Sequence, residues 1–205
     1  SIRGEDQQWR ARGALDIDEE NRLQTSLQLD QSSQQLDGDM DLQFNKLQWL
    51  ALFAPTIAPP QGKLEAKLKL SGSLENPLLE GDASLREGLF RVPSTGTELT
   101  DVRLDISVPA NSQKATISGR LKAGDGRLIV DGSADWPTAE TANLQLQVEG
   151  ENLQLVDTHE AVVVVSPQLT LQAKEDRIDI GGVLSLPEAR FTPGEIPASA
   201  ARVSN

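Results

Sequence analysis

The sequence predicts an all-β fold of about a dozen strands that carry their apolar side chains on one face, with one short helix near residues 45–54. Three observations lead there. Apolar and polar residues alternate with period two in segment after segment, and on an extended chain that sends every second side chain to the same face. Turn-forming residues stand between most of these segments. A single stretch leaves the alternation for helical spacing.

Taken in order, the first strand is expected over residues 14–17, followed by a hairpin turn at Glu19-Glu20-Asn21-Arg22. Residues 23–29 continue the pattern with Thr25 in place of one apolar residue, and residues 36–44 carry Leu36, Met40, Leu42 and Phe44 in phase with Gly38. Residues 45–54 then read NKLQWLALFA, with Leu47, Leu50, Ala51 and Ala54 at helical spacing, Asn45 as N-cap and Pro55 as terminator. Residues 64–70 alternate Leu64, Ala66, Leu68 and Leu70 with Glu65, Lys67 and Lys69. Residues 83–90 follow the turn Glu75-Asn76-Pro77, and residues 102–108 follow Pro93-Ser94-Thr95-Gly96. In the latter, Val102, Leu104, Ile106 and Val108 oppose Arg103, Asp105 and Ser107. Residues 115–123 place Ala115, Ile117, Gly119, Leu121 and Ala123 in phase, and residues 128–134 come after Gly124-Asp125-Gly126. Trp136-Pro137 is expected as a turn before Leu144, Leu146 and Val148. The remaining strands are expected at 162–165, 169–173 and 178–186, with turns at Glu175-Asp176 and Leu186-Pro187.

Alternation of this kind fits two architectures. A sandwich hides one face of each sheet against the other; a long sheet curled on itself shows the same pattern and leaves a continuous groove. Glycines inside strands (Gly38, Gly72, Gly81, Gly119, Gly132, Gly182) favour bending. The apolar residues are mostly aliphatic, with 4 Phe, 3 Trp and no Tyr, whereas a filled β core usually draws on several large aromatics.

At 205 residues the chain suffices for one large or two smaller β domains, and it is taken here as a single elongated one, residues 1–205. A net charge of −12 without clustered Lys or Arg argues against nucleic acid as a partner. The absence of cysteine removes disulfides and thiolate chemistry and is compatible with the cytoplasm or a bacterial periplasm. No stretch approaches the ~18 apolar residues of a membrane span. The opening Ser1-Ile2-Arg3-Gly4 and the ending Val203-Ser204-Asn205 lead us to expect an internal piece of a longer protein.

No catalytic constellation is found, so no enzyme activity, cofactor or metal is expected. His159 is the only histidine; beside Asp157 and Glu160 it reads as a turn residue rather than half of an acid–base pair. The acidic run Asp16-Ile17-Asp18-Glu19-Glu20 lacks the central Gly and terminal Glu of a calcium loop. Asp37, Asp39 and Asp41 alternate as a solvent face. Leu70-Ser71-Gly72-Ser73-Leu74 is not a nucleophile elbow, and no phosphate-binding Gly-rich loop occurs.

The stretch from Gly62 through Leu70-Ser71-Gly72-Ser73-Leu74-Glu75-Asn76-Pro77 to Gly81 resembles the Gly/Leu/Pro repeat of the TamB-like family, within the AsmA-like group of envelope proteins. Residues 83–92, Ile117-Ser118-Gly119 with 126–132, residues 164–171 and residues 182–189 continue the resemblance, which covers roughly 40–205. It implies a long, taco-like curled sheet around an apolar groove, in a periplasmic protein anchored in the inner membrane. It also implies a TamA-like outer-membrane barrel as partner, engaged outside these residues, and a role in outer-membrane protein and autotransporter assembly or in phospholipid transport between the membranes. The groove lining expected here is Leu64, Leu68, Leu70, Val102, Leu104, Ile106, Ile117, Leu144, Leu146 and Val148. Its cargo is expected to be phospholipid acyl chains; the alternatives are unfolded outer-membrane β-strands, or no cargo in a closed structural spacer.

Overall fold

In the computed structural model, residues 2–5, 8–18, 21–52, 56–138, 141–174 and 177–192 are described. Thirteen strands occur among them: β1 (Ile2–Glu5), β2 (Gln8–Asp18), β3 (Asn21–Asp30), β4 (Gln35–Phe44), β5 (Gln61–Gly72), β6 (Pro77–Val92), β7 (Thr97–Ser112), β8 (Lys114–Ala123), β9 (Gly126–Thr138), β10 (Thr141–Glu151), β11 (Leu153–Asp157), β12 (Ala161–Lys174) and β13 (Arg177–Phe191). They form one antiparallel sheet, all-β as expected, in which each strand from β1 to β10 lies beside its chain neighbours. β12 pairs with β10 along 168–174 and with β11 along 162–165, and β13 runs along its other edge. The sheet is open and loosely curled.

β10 and β11 are one path broken at Asn152, whose φ of 52° turns the chain out of the sheet plane. That break produces β11, which the sequence reading did not foresee; β1 was also unforeseen. The strands expected at 162–165 and 169–173 are one strand, β12. Its Pro167 falls where β10 gives way to β11 as the neighbour, so its missing N–H removes no ladder bond on that side. Two expected turns are likewise strand. Trp136-Pro137 lies at the end of β9, beside a register shift in β10, and Leu186-Pro187 lies within edge strand β13, opposite a bulge between Val164 and Ser166. Proline is tolerated at strand ends, bulges and edges because no ladder bond is needed from it there.

The expected helix at 45–54 is a 3₁₀ turn of five residues, Gln48–Leu52; residues 53–55 lie outside the described residues. The Leu50 N–H donates to the Leu47 carbonyl at 2.9 Å. Asn45 does not begin an α-helix: the turn starts only at Gln48, and the Lys46 N–H donates to Asn21 Oδ1 at 3.1 Å. The helical spacing did mark the right anchor: Leu47 is 1% exposed, and the Phe44 and Trp49 rings meet at a tilt of 54°, 5.2 Å between centroids. The turn sits over the ends of β3–β5. The expected hairpin at Glu19-Glu20 and the turn at Glu175-Asp176 include positions outside the described residues; the strands on either side of each pair antiparallel, as such turns require.

Candidate functional site

Cross-strand register assembles the face. Directly paired residues point to the same side of a sheet, so a chain of pairs traces a row across the strands. One row reads Leu23, Leu42, Ala66, Ala83, Ile106, Ile117, Gly132, Leu146, Leu171, Ile180, from β3 to β13. Every member is aliphatic or glycine. A parallel row reads Phe44, Leu64, Leu85, Leu104, Gly119, Val130, Val148, Leu169, Gly182. The intervening row is polar throughout: Gln43, Glu65, Ser84, Asp105, Ser118, Asp131, Gln147, Thr170. The two faces of the sheet are therefore chemically separate over the eight strands that all three rows cross.

The ten residues expected to line a groove all stand on the apolar face. Ile106, Ile117 and Leu146 share the first row, and Leu64, Leu104 and Val148 the second. Leu68 pairs Met40 and Gly81, Leu70 pairs Gly38 and Leu79, Leu144 pairs Ala134 and Ala173, and Val102 pairs Gly88. All ten are half-buried, while the interleaved Glu65, Lys67 and Arg103 are exposed. Residues of the same rows that the expected set left out include Leu85, Val130, Leu169 and Leu171. Their alternation was visible, but only the register shows that they extend the same rows.

Half-burial marks a face without a second layer over most of its width. Glycines on this face let neighbours approach closely, side chains at Gly132 and Gly38 and backbone at Gly81 and Gly182. A Cβ on Gly132 would meet Leu146 Cδ2 at 2.5 Å, and one on Gly38 would meet Leu27 Cδ1 at 3.2 Å. Gly81 and Gly182, at φ of 130° and 126°, hold a backbone that other residues rarely adopt.

The apolar face has two unlike rims, set by the two ends of the strands. At the first rim, irregular chain folds back over the face. Leu47 lies 3.2 Å from where a Gly62 Cβ would stand. β11 lies over β7–β9, where Ala123, Leu153 and Val165 are 0–5% exposed and are packed by Leu99, Leu121, Leu128 and Val163. Glycines make its bed: Cβ atoms on Gly96, Gly124 and Gly126 would fall 1.9–2.3 Å from atoms of Asp157, Gln154 and Asn152. Asp157 N–H donates to Thr95 O at 2.8 Å, and Thr97 Oγ1 donates to Leu155 O at 2.6 Å. At the second rim the strands end in hairpin turns. There the Trp136 indole N–H reaches past the β7–β8 turn to the carbonyl of Pro77, three strands away, at 3.2 Å. These bonds join strands that are not neighbours in the sheet.

The polar face carries exposed ion pairs such as Lys63–Glu87 and Arg127–Glu151, and a shallow hollow lined by Asp131, Ser133, Gln145, Gln147, Thr170 and Gln172. Its Arg86 is raised above the usual guanidinium range, chiefly by its hydrogen bond to Asp105, an exposed pair worth little to stability. His159 is exposed in the bend at 158–160, and Asp37, Asp39 and Asp41 are exposed along β4. No cluster suited to a metal ion, and no helix long and apolar enough to cross a membrane, occurs among the described residues.

A family model of the TamB N-terminal domain matches residues 1–85, and one of the TamB C-terminal domain matches residues 113–205. The chain belongs to the TamB family. The two matches leave residues 86–112, the end of β6 and all of β7, between them within the continuous sheet. The translocation and assembly module subunit TamB of Haemophilus influenzae is 29% identical over 143 residues, which is 70% of this chain and 11% of that protein. The chain thus spans about a tenth of the length of the curated relative it matches. No solved structure matches it.

Proposed function

We propose that these residues are one elongated β unit of a longer periplasmic protein, anchored in the inner membrane, whose apolar face carries or shields phospholipid acyl chains between the inner and outer membranes. In this reading the whole protein works with a TamA-like outer-membrane barrel in outer-membrane protein and autotransporter assembly, and no catalytic step or cofactor is involved. The observation that carries it is the pair of continuous apolar rows, aliphatic or glycine and half-buried from β6 through β12, with no layer over the middle of the face.

Magnitudes fit this use. A row crossing ten strands covers nine spacings of ~4.8 Å, or about 43 Å, longer than the ~30 Å hydrocarbon core of a bilayer. An extended acyl chain fits along it without reaching the end. Each methylene moved from water onto apolar surface contributes about 0.8 kcal/mol, enough to hold a chain while leaving it free to slide among similar side chains. Association with the TamB family supports an envelope-assembly setting.

The test is photocrosslinking in cells from single positions in the full-length protein. Probes at Ile106, Ile117 and Leu146 are expected to capture phospholipid, and probes at Glu65, Lys67 and Arg103 to capture none. Equal lipid labelling from both faces contradicts the reading. A second reading is favoured by β13, where Ile178, Ile180, Val183, Leu184 and Leu186 are 52–68% exposed along an edge strand. Such an edge accepts an added strand, so unfolded outer-membrane β-strands are its natural cargo; polypeptide rather than lipid adducts from the same probes would select it.

A further inference from the structure

We propose that the apolar face loads sideways over the second rim, and that the hydrogen bond from Trp136 to Pro77 is the latch on that entrance. The inference rests on the acyl-chain reading above and adds to it a side of entry and a residue that controls it.

The first rim is closed by backbone. Over β3–β5, the segment leading into the 3₁₀ turn presses Leu47 onto the sheet, with Leu47 1% and Phe44 5% exposed. Over β7–β9, β11 rests on Gly96, Gly124 and Gly126 so closely that no side chain fits between. It is held there by pairing to β12 and by the bonds to Thr95 and Thr97. Opening this rim means exposing Ala123, Leu153 and Val165, which have no water contact to regain cheaply. It is a wall.

The second rim is built differently. Its hairpins at 31–34, 73–76 and 112–113 are short turns that end the strands without folding back over the face. Their bonds are within a turn or between neighbouring turns: Asp30 caps Ser32 and Ser33, Ser73 Oγ accepts from the Asn76 N–H, and the Leu74 N–H donates to Gln34 O at 3.1 Å. The crossing between distant strands found there among the described residues is the indole of half-buried Trp136. One N–H···O bond, with a main-chain bond from Trp136 N to Gln113 O at 3.0 Å beside it, draws β9 toward β6. Breaking the indole bond uncovers no dry core. The carbonyl and the N–H both find water at the rim, and the ring, apolar in its body and polar at its tip, suits a place where an acyl chain passes from one medium to the other. The asymmetry gives the face one side that yields and one that does not.

The experiment uses the full-length protein with a photoreactive residue at Ile117, in the middle of the face, and reads the rate of phospholipid capture in cells. Trp136→Phe keeps the ring and removes the donor; it is expected to raise capture at least twofold. A lock is made with Pro77→Cys and Trp136→Cys joined by a cleavable bis-maleimide, in a full-length background with any cysteines outside these residues replaced; these 205 residues contain none. Capture is expected to fall at least fivefold when the linker is in place and to return when it is cleaved. Thr97→Val, which removes the hydroxyl bond to β11 on the first rim, is expected to leave capture unchanged. Capture that ignores the lock, or that rises with Thr97→Val and not with Trp136→Phe, overturns the proposal while leaving the acyl-chain reading in place. No lipid at Ile117 in any variant, including the unaltered protein, overturns both.

Discussion

The patch at β11 and the middle of the apolar face are both made of small and aliphatic residues, yet they differ in burial. Ala123, Leu153 and Val165 are 0–5% exposed, whereas Ile106, Ile117 and Leu146 are only half-buried. The difference is a second layer. Where Asn152 turns the chain over the sheet, the face becomes a dry core; where nothing crosses, it stays half-buried. A strand pattern encodes which face is apolar, and the chain's excursions decide which part of that face serves stability and which is left for use.

The sharpest way to break the comparison is to unseat the roof. Gly126→Val puts a side chain into Asn152 O and Leu153 N, both within 2.5 Å of the added Cβ. It is expected to destabilise by about 3–5 kcal/mol, as an overpacked backbone contact does. Denaturant unfolding measures it. Next, Leu153→Ala leaves a cavity at a side chain 2% exposed and is expected to cost about 2–4 kcal/mol by the same measurement. Ile117→Ala removes comparable carbon from the open part of the face and is expected to cost about 1 kcal/mol, since much of its surface already meets solvent. A cost equal to that of Leu153→Ala would show a filled core at Ile117 and end the comparison. Smallest of all, Ser118→Ala, one residue along on the polar face, is expected to change stability by no more than ~0.5 kcal/mol.

Much of this arrangement was legible beforehand because strand periodicity is strict. Leu64, Leu68, Val102, Ile106, Ile117 and Leu146 were assigned to one face from spacing, and the register puts them there. Four features were not legible. β11 depends on a left-handed φ at Asn152, and asparagine is too common in turns to mark that one. Pro137, Pro167 and Pro187 read as strand ends because proline lacks an N–H, but here each stands at a strand end, at a change of neighbours or at an edge bulge. The 3₁₀ turn carries helical spacing over too few residues, and Asn21, remote in sequence, takes the N–H of Lys46. The bond from Trp136 to Pro77 joins residues 59 apart and has no local signal at all.

The central claim is that one face of this sheet holds acyl chains. The most direct measurement is a photocrosslinking scan of β8 in the full-length protein in cells, one position at a time from Ala115 to Leu121. The account expects lipid adducts to rise and fall with period two, high at Ala115, Ile117, Gly119 and Leu121 and near background at Thr116, Ser118 and Arg120. Adduct yields that show no alternation, or that peak at the polar positions, would contradict it.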